Sequence, residues 1–515
     1  MPRPLACTAR IGRPESAFSY SRLAIQSAST SPVTIPQLQQ LTEHRREANP
    51  YVVSVESLFH FSRGALVSIV AHRTLIAVLL AAPIHVAAQR IPSSDYVERR
   101  RALMERLPDG IALLHAEPRD KPETEPSFIQ AASFLYFTGL SGVPNAILAI
   151  DAPRREARLF VPPKPRAFGF PVDSVVPEAS STATLGLTQI VSWDSLIPYV
   201  RRRIGDGVKK LYVEEARRPG STGVPQGMRP VAGDPVLWAQ SLAAAFPDAE
   251  IASAVATLRE LRFVKSRAEV EVLRDNARST AVAVRAAMRA VTPGVRQRQV
   301  EMRAAQACID AGTVGPSFWP WTMSGPNAHI PMLVRSVYSY DQLDRTMKSG
   351  ETVRIDLGCT NHGYGGDVGR TVPVSGKFTA GQREIWNLLI DAYRIGIRTM
   401  KPGVTIAQVM AASRSEIERQ AASRRTPEGK EAARSLLAPD GMSGWSIHSV
   451  GVESGEAALP TLVEGAVIAF EPIFSVGADA YYLEDMIHIT AVGAEILSAG
   501  LPYTAQEIEV AMRSR

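Results

Sequence analysis

Two stretches of the chain have the pattern of a β-hairpin with an acidic residue on each strand. The first, Glu351 to Val374 (ETVRIDLGCTNHGYGGDVGRTVPV), reads as two strands around a turn. Apolar residues alternate along the first strand and leave Asp356 on the opposite face. A turn centred on Asn361 and His362 would place Asp356 directly opposite Asp367, with Cβ atoms about 5 Å apart. The pattern therefore predicts a close pair of carboxylates.

The second stretch, residues 466–490 (AVIAFEPIFSVGADAYYLEDMIHIT), repeats this arrangement. A turn at Gly477 and Ala478 puts Glu471 opposite Glu484. Two like charges in such positions are destabilising unless something neutralises them, and a divalent cation does so. Two carboxylate pairs in one region therefore predict a metal centre.

His448, in the segment SIHSVGV, adds an imidazole to the four carboxylates. This donor set suits two adjacent hard or borderline cations such as Mn²⁺, Fe²⁺, Co²⁺ or Zn²⁺. Two metals about 3.5–4 Å apart can share a hydroxide nucleophile and polarise a carbonyl. The sequence thus predicts two divalent metal ions held by five residues: Asp356, Asp367, His448, Glu471 and Glu484.

These residues and their contexts resemble the pita-bread metallopeptidases, which include aminopeptidase P, prolidase, methionine aminopeptidase and creatinase. The resemblance is carried by IDLG with GGDVGRT, HSVGVESGE, FEPIF and LEDMIHIT, in that order, and it covers about residues 95–510. QAASFLYFTGL (Gln130 to Leu140) is similar to a segment of the creatinase-type N-terminal domain. That segment favours aminopeptidase P or prolidase over methionine aminopeptidase.

The resemblance implies a role for each predicted ligand. Asp367 and Glu484 would bridge both metals, and Asp356 would complete one site. His448 and Glu471 would complete the other, and Glu471 would also take the proton from the attacking water. The implied substrate is a peptide with proline at the second position, and the implied metal is Mn²⁺. Self-association through the N-terminal domain is a further implication.

The chain departs from the family pattern at positions that usually help catalysis. Gly455 and Gly444 stand where the family carries histidines, and Tyr482 stands where it often carries an arginine. In SGPNAHIP, Met332 follows the proline where the family has a histidine, and the chain's own histidine is His329. About ten more residues than usual then separate this segment from the first predicted ligand.

Three interpretations of these departures remain open. His329 takes over the catalytic and substrate-binding role, or His362 or His488 reaches the site from another direction. In the third, the protein binds metal but cleaves poorly. The leading function is an Xaa-Pro aminopeptidase, with a prolidase acting on dipeptides as a close variant. The alternative from another class is a metal-binding but weakly catalytic peptide-binding protein. A metal-free amidinohydrolase resembling creatinase fits less well, because it would not need five ligands.

The order of predicted elements gives the domain organisation. Residues 95–255 alternate strands and helices and are expected to form an α/β, creatinase-like N-terminal domain. Within it, Ser133 to Leu140 is predicted as a strand. Residues 256–515 are expected to form an α+β pita-bread catalytic domain.

The N-terminal part of the chain indicates export. Thr74 to Ala88 (TLIAVLLAAPIHVAA) is apolar, too short for a stable membrane span, and ends in small residues. Residues 67–88 are therefore predicted to be a signal peptide that sends the protein to the periplasm or outside the cell. Residues 1–66 are then an untranslated or disordered extension. The alternative is a core helix behind a disordered tail.

Charge and cysteine content narrow the remaining possibilities. Of the net charge of +6, residues 1–88 carry +4, with eight Arg against four Glu; the rest has 49 basic and 47 acidic residues. This balance argues against a nucleic-acid surface, which needs clustered basic residues. Three cysteines cannot build a disulfide framework, so Cys308 and Cys359 are predicted to be small buried hydrophobic residues.

Overall fold

The N-terminal half is built on a six-stranded mixed sheet. The computed structural model describes residues 91–117, 129–164, 166–167, 170–171, 176–214 and 235–513. The sheet strands are β1 (Gly110–His115), β2 (Ile147–Asp151), β3 (Glu156–Val161), β6 (Gln189–Ser192), β7 (Lys210–Val213) and β8 (Glu250–Ser253), and β4 (Arg166–Ala167) with β5 (Phe170–Pro171) forms a separate ribbon. Their order is β6-β3-β2-β1-β7-β8. The helices are α1 (Ser93–Arg106), α2 (Ala132–Thr138), α3 (Leu196–Gly205), α4 (Pro235–Ala245) and α5 (Val255–Phe263).

The strand predicted at Ser133 to Leu140 is wrong, because this segment forms α2 and ends at Gly139 with φ 73°. Six of the seven residues of this helix are buried, so no polar face marks the helical period. Its run of buried aromatic residues therefore has the sequence pattern expected of a buried strand.

The C-terminal half surrounds smaller sheets with long helices. Its helices are α6 (Arg267–Ala290), α7 (Gln297–Asp310), α8 (Ile330–Leu343), α9 (Ala380–Thr399), α10 (Ile406–Ala421), α11 (Pro427–Leu437) and α12 (Ala505–Arg513). Its strands are β9 (Gly315–Pro316), β10 (Trp321–Ser324), β11 (Thr352–Leu357), β12 (Cys359–Asn361), β13 (Tyr364–Gly365), β14 (Val368–Pro373), β15 (Trp445–Ser449), β16 (Glu456–Ala457), β17 (Val467–Val476), β18 (Asp479–Tyr482), β19 (Asp485–Thr490) and β20 (Gly493–Ile496). The sheets run β10-β11-β14, β13-β12-β9 and β16-β15-β17-β19-β20, with β18 on β17. The segment between His329 and β11 contains α8.

The first hairpin forms, but its predicted register is wrong by two residues. Its turn is at His362 and Gly363, whose φ values are 53° and 77°, as a tight hairpin turn requires. Asp356 therefore lies opposite Gly369, not opposite Asp367. Because side chains alternate with a period of two, an error of two residues leaves Asp356 and Asp367 on the same face.

The second hairpin has the predicted register. Ile473 pairs with Tyr482 on one side, and Phe470 pairs with Asp485 on the other. This places Glu471 opposite Glu484 at the junction between β18 and β19. Glu484 also exchanges backbone hydrogen bonds with Gly369 of β14, which joins the two hairpins.

Cys308 and Cys359 are buried as predicted, but they form a disulfide, so their prediction as free hydrophobic residues is wrong. The bond links α7 to β12, three residues after Asp356. The two cysteines are 51 residues apart, so no local sequence pattern indicates that they pair. The packing of α7 on the sheet brings them together.

Arg262, near the end of α5, connects the two halves of the chain. Its guanidinium donates to Ser133 Oγ at 3.1 Å and Glu456 Oε1 at 2.6 Å, and contacts Glu214 and Glu453. Glu453 and Glu456 follow His448 in the chain, so this buried cation fixes the segment after β15. The predicted domain boundary at residue 255 coincides with the start of α5.

The predicted extension (1–66) and signal peptide (67–88) lie outside the described residues. Among the residues that are described, no helix combines the length and apolarity needed to traverse a bilayer.

Candidate metal centre

Four of the five predicted ligands meet around the imidazole of His448. Its Nε2 lies 3.6 Å from Glu484 Oε1, 3.7 Å from Asp367 Oδ2 and 3.7 Å from Glu471 Oε1. Ligands about 2.0–2.2 Å from a tetrahedral ion lie about 3.3–3.6 Å apart. The spacing of these donor atoms therefore fits a single divalent cation between them.

Two hydrogen-bonding details leave metal-binding atoms free. Nδ1 of His448 lies 3.2 Å from the carbonyl oxygen of Ser449, which can only accept, so Nδ1 is the donor and Nε2 faces the carboxylates. Oε1 of Glu484 is buried and has no hydrogen-bond partner among the described residues. A buried oxygen without a partner is costly unless a cation binds it.

Asp356 borders this group from the neighbouring strand. It is paired with Gly369, which in turn is paired with Glu484, so the three residues form one row across β11, β14 and the start of β19. Asp367, His448 and Glu484 form the tighter group, with ligand atoms within 4.8 Å of one another. All five predicted ligands are thus brought together, with Asp356 at the edge of the tighter group.

The electrostatics of the group are those of a site built for positive charge. Burial and the charge of Glu484 raise the pKa of Asp356 to about 8 and that of Asp367 well above its usual range. The same two causes raise the pKa of Glu471. Burial opposes the charged form of His448, but Glu484 and Glu471 outweigh it and raise its pKa to about 9. Without metal, these groups therefore hold protons in place of cations.

Ser446 and Tyr482, whose supporting roles sequence reasoning missed, hold the ligands in place, and Arg370 adds further contacts. Ser446 donates to Glu471 Oε1 at 2.8 Å, and Tyr482 donates to Glu484 Oε2 at 2.6 Å. Ser446 stands two residues before His448, so period-two alternation could have found it. Arg370 donates to the Glu484 carbonyl and pairs with Asp485 at 2.8 Å. Asp485 is therefore a structural ion-pair and hydrogen-bonding partner of Arg370.

The three candidate histidines lie in different surroundings. His329 is the N-cap of α8, and its buried Nε2 has no hydrogen-bond partner among the described residues. His362 is exposed on the hairpin turn. His488 contacts Glu495 of β20 at 3.3 Å. Of the three, His329 alone combines burial with an unused ring nitrogen within the described part of the chain.

Gly444 explains why a histidine is missing four residues before His448. A Cβ at this position would lie 3.0 Å from Ile330 Cδ1 and 2.5 Å from the carbonyl oxygen of Ile473. Ile330 therefore occupies the space of a side chain there. The segment of His329 and Ile330 lies against the start of β15, the strand that carries His448.

Comparison with known proteins agrees with this arrangement. Residues 271–491 match the model of metallopeptidase family M24, and residues 96–191 match that of the aminopeptidase P N-terminal domain. The Xaa-Pro aminopeptidase of Escherichia coli (strain K12) is 27% identical over 474 residues, covering 82% of this chain and 98% of that protein. The Xaa-Pro dipeptidase of Pyrococcus furiosus is 27% identical over 252 residues, covering 47% of this chain and 64% of that protein.

A solved structure shows the same fold over both halves. Aminopeptidase P from Escherichia coli with the inhibitor Pro-Leu superposes with a TM-score of 0.64 at 24% identity, covering 82% of this chain and 98% of that one. The family and the two-part fold predicted from the sequence are confirmed, and the family implies divalent metal ions. The chain is a hydrolase that belongs to metallopeptidase family M24, with an N-terminal domain of the aminopeptidase P type.

Proposed function

We propose that the protein is a dinuclear-metal aminopeptidase that hydrolyses the N-terminal peptide bond before proline. The observation that carries this proposal is the convergence of Asp367, His448, Glu471 and Glu484 around one point, with Asp356 alongside. Asp367, His448, Glu471 and Glu484 would hold one ion, and Asp356 would help to hold a second together with Asp367 and Glu484.

Divalent ions bound at these residues would polarise the scissile carbonyl and activate a water at neutral pH. Glu471 is assigned as the general base. Its side chain is 26% exposed, whereas that of Glu484 is fully buried, so Glu471 is the more accessible of the two to a proton from solvent or substrate. The hydrogen bond from Ser446 fixes the orientation of the Glu471 carboxylate.

The surface beside Asp356 supports a peptide substrate. Trp321 pairs with Asp356 in the register of β10 and β11, so both side chains lie on the same face. The rings of Trp319, Trp321 and Tyr340 contact one another, and buried Glu301 accepts hydrogen bonds from Trp319 and Tyr340. This rigid apolar wall suits the side chains that flank a scissile bond.

We further propose that His329 binds substrate and assists catalysis in place of the missing family histidines. Its unused Nε2 and its position beside β15 support this role. His329→Ala should raise KM or lower kcat without changing the metal content. Unchanged kinetics would return His329 to a structural role.

The alternative enzyme is a prolidase that acts only on dipeptides. The match to the relative named Xaa-Pro aminopeptidase covers 82% of this chain and 98% of that protein. The match to the relative named Xaa-Pro dipeptidase covers 47% of this chain and 64% of that protein. This difference favours the aminopeptidase. Product analysis on an Xaa-Pro-Xaa tripeptide and an Xaa-Pro dipeptide separates the two, since the aminopeptidase cleaves the tripeptide and a prolidase does not.

Mn²⁺ is the proposed metal, because carboxylate oxygens dominate the donor set; Co²⁺, Zn²⁺ and Fe²⁺ are the alternatives.

The deciding experiment is metal analysis of purified protein with a screen on Xaa-Pro peptides. Two equivalents of metal with hydrolysis support the proposal. Two equivalents without hydrolysis favour a metal-binding peptide-binding protein, and no bound metal contradicts the central claim.

We infer that the protein is exported to the periplasm or outside the cell. The apolar stretch 74–88 supports this, and so does the disulfide between Cys308 and Cys359, because disulfides persist in oxidising compartments. N-terminal sequencing of the expressed protein should find a mature chain that starts near residue 89. A chain that retains residues 1–66 would contradict export. Size-exclusion chromatography of the same sample tests the expected self-association.

A further inference from the structure

The two carboxylate oxygens of Glu484 have different surroundings, and Tyr482 contacts one of them. Its hydroxyl donates to Oε2 at 2.6 Å and lies 3.3 Å from Oε2 of Glu471. The other oxygen of Glu484, Oε1, is the one that faces His448 and has no hydrogen-bond partner among the described residues. The phenol therefore contacts both carboxylates of the second hairpin from the side away from the imidazole.

The ring of Tyr482 has no freedom to turn away. It lies against Gly369, where an added Cβ would overlap the ring, and only 1% of the residue is exposed. Thr371 Oγ1 donates to the Tyr482 carbonyl at 3.0 Å and contacts its amide nitrogen at 2.7 Å. Backbone and ring are thus both held in place, and the position of the hydroxyl is fixed.

Arg354 completes this arrangement. It is 1% exposed and shares a strand face with Asp356, and its guanidinium carbon lies 5.6 Å from the centre of the Tyr482 ring. Within the described residues no carboxylate lies within ion-pair distance, and its Nε has no acceptor. A buried cation of this kind is costly unless nearby negative charge compensates it. The carboxylates of the metal centre provide that charge.

We propose that Tyr482 is a positioning residue of the metal centre, and that the guanidinium of Arg354 compensates the negative charge of the carboxylates in that centre. The hydroxyl holds Oε2 of Glu484 so that Oε1 is presented to a metal ion beside His448. This inference rests on the proposed function, since it assumes that the centre binds metal. It assigns a role to a position where the chain departs from its family.

The test compares Tyr482→Phe with Tyr481→Phe. Each variant loses one buried hydroxyl, and that of Tyr481 has no hydrogen-bond partner among the described residues. Metal-free protein is titrated with Co²⁺ against a competing chelator, and the visible absorption of the bound Co²⁺ is recorded. Residues that orient metal ligands typically contribute about 10–100-fold to metal affinity. Tyr482→Phe should therefore bind Co²⁺ about 10–100-fold more weakly, with altered visible bands, while Tyr481→Phe stays like the wild type.

Arg354→Met provides a second variant of similar length. In metal-free protein this variant removes the charge that compensates the gathered carboxylates, which bound Co²⁺ would otherwise neutralise, so it should lower the Tm of the metal-free protein more than that of the Co²⁺-bound protein. Circular dichroism and thermal unfolding show whether each variant folds. Wild-type affinity and spectrum in Tyr482→Phe would overturn the proposal, as would an equal loss in Tyr481→Phe. An equal change in Tm with and without Co²⁺ in Arg354→Met would overturn the role given to Arg354. A wild type that takes up no metal contradicts the proposed function itself, whereas tight binding by both the wild type and Tyr482→Phe contradicts only the positioning role.

Discussion

Nε2 of His448 lies 3.6 Å from Oε1 of Glu484, and this oxygen is buried without a hydrogen-bond partner among the described residues. The two residues come from different strands, β15 and the start of β19, with β17 between them. An unsatisfied carboxylate oxygen beside an imidazole nitrogen is stable only with a proton or a cation between them. The chemistry of the centre follows from this contact.

Asp367→Asn should abolish metal binding at the tight group. The substitution keeps the shape of the side chain but removes a charged ligand that faces His448 at 3.7 Å. Activity on Xaa-Pro peptides should fall at least about 100-fold, more than is typical for residues that only orient ligands. Metal analysis and kcat/KM measure both effects. The exposed Asp440→Asn is the control, and metal content equal to that of the wild type in Asp367→Asn would show that the ligand assignment is wrong.

The stabilisation by metal should increase with pH. In metal-free protein the pKa of Asp356 is raised from 3.8 to about 8 and that of His448 from 6.5 to about 9. A raised pKa means that the protonated form contributes stability that is present at low pH and lost as pH rises through the folded value. The metal-free protein should therefore lose stability from about pH 4, the unfolded pKa of Asp356, up to about pH 9, the folded pKa of His448, over which a bound ion replaces the protons.

Thermal unfolding with and without Mn²⁺ over this range measures the effect. The difference in Tm should widen towards pH 9. The double variant Asp356→Asn with Asp367→Asn should flatten the pH dependence of the metal-free protein. A difference in Tm that is the same at pH 6 and pH 9 is the contradicting outcome.

Removal of the disulfide should destabilise the fold near the centre. Closing a loop of 51 residues stabilises a protein by about 4 kcal/mol in the chain-entropy account. Cys308→Ser with Cys359→Ser should lower the free energy of unfolding by up to about that amount. Chemical denaturation measures it, and a reducing agent should produce a similar loss in the wild type but none in the variant. Two free thiols in exported protein, detected by alkylation and mass spectrometry, would contradict the bond.

Asp485→Ala should destabilise the protein through Arg370. Both side chains are fully buried, and removing one partner of such an ion pair typically costs about 3–5 kcal/mol. The substitution leaves the guanidinium without its carboxylate and also deprives Tyr393 and Ser498 of an acceptor. Denaturant titration checks the loss. Glu495→Ala, whose side chain is 42% exposed, is the control and should change stability by less than about 1 kcal/mol.

Local patterns were enough to predict some relationships and not others. The turn at Gly477 and Ala478 gave the register that places Glu471 opposite Glu484, because one hairpin carries both residues. The other turn was placed one position early, since nothing in Asn361-His362-Gly363 excludes either centre. The face of Asp356 was still right because strands alternate with a period of two. The helix at Ala132–Thr138 was missed because burial on all sides removes the polar face that marks a helix.

The sequence by itself determined which four carboxylates gather and which strand faces they share, because hairpins are local and their alternation is periodic. The family was given by the resemblance of the motifs around these carboxylates and His448 to those of known metallopeptidases. Only the tertiary structure decided which residues from distant segments contact one another. It joined Cys308 to Cys359, placed Ile330 in the space beside Gly444, and set the Tyr482 ring on Gly369 with Arg354 above it. These contacts depend on how helices and sheets pack across long separations, where no local period constrains the partners. Apart from Ser446, which shares the strand face of His448, the residues that support the metal centre are therefore visible only in the folded chain.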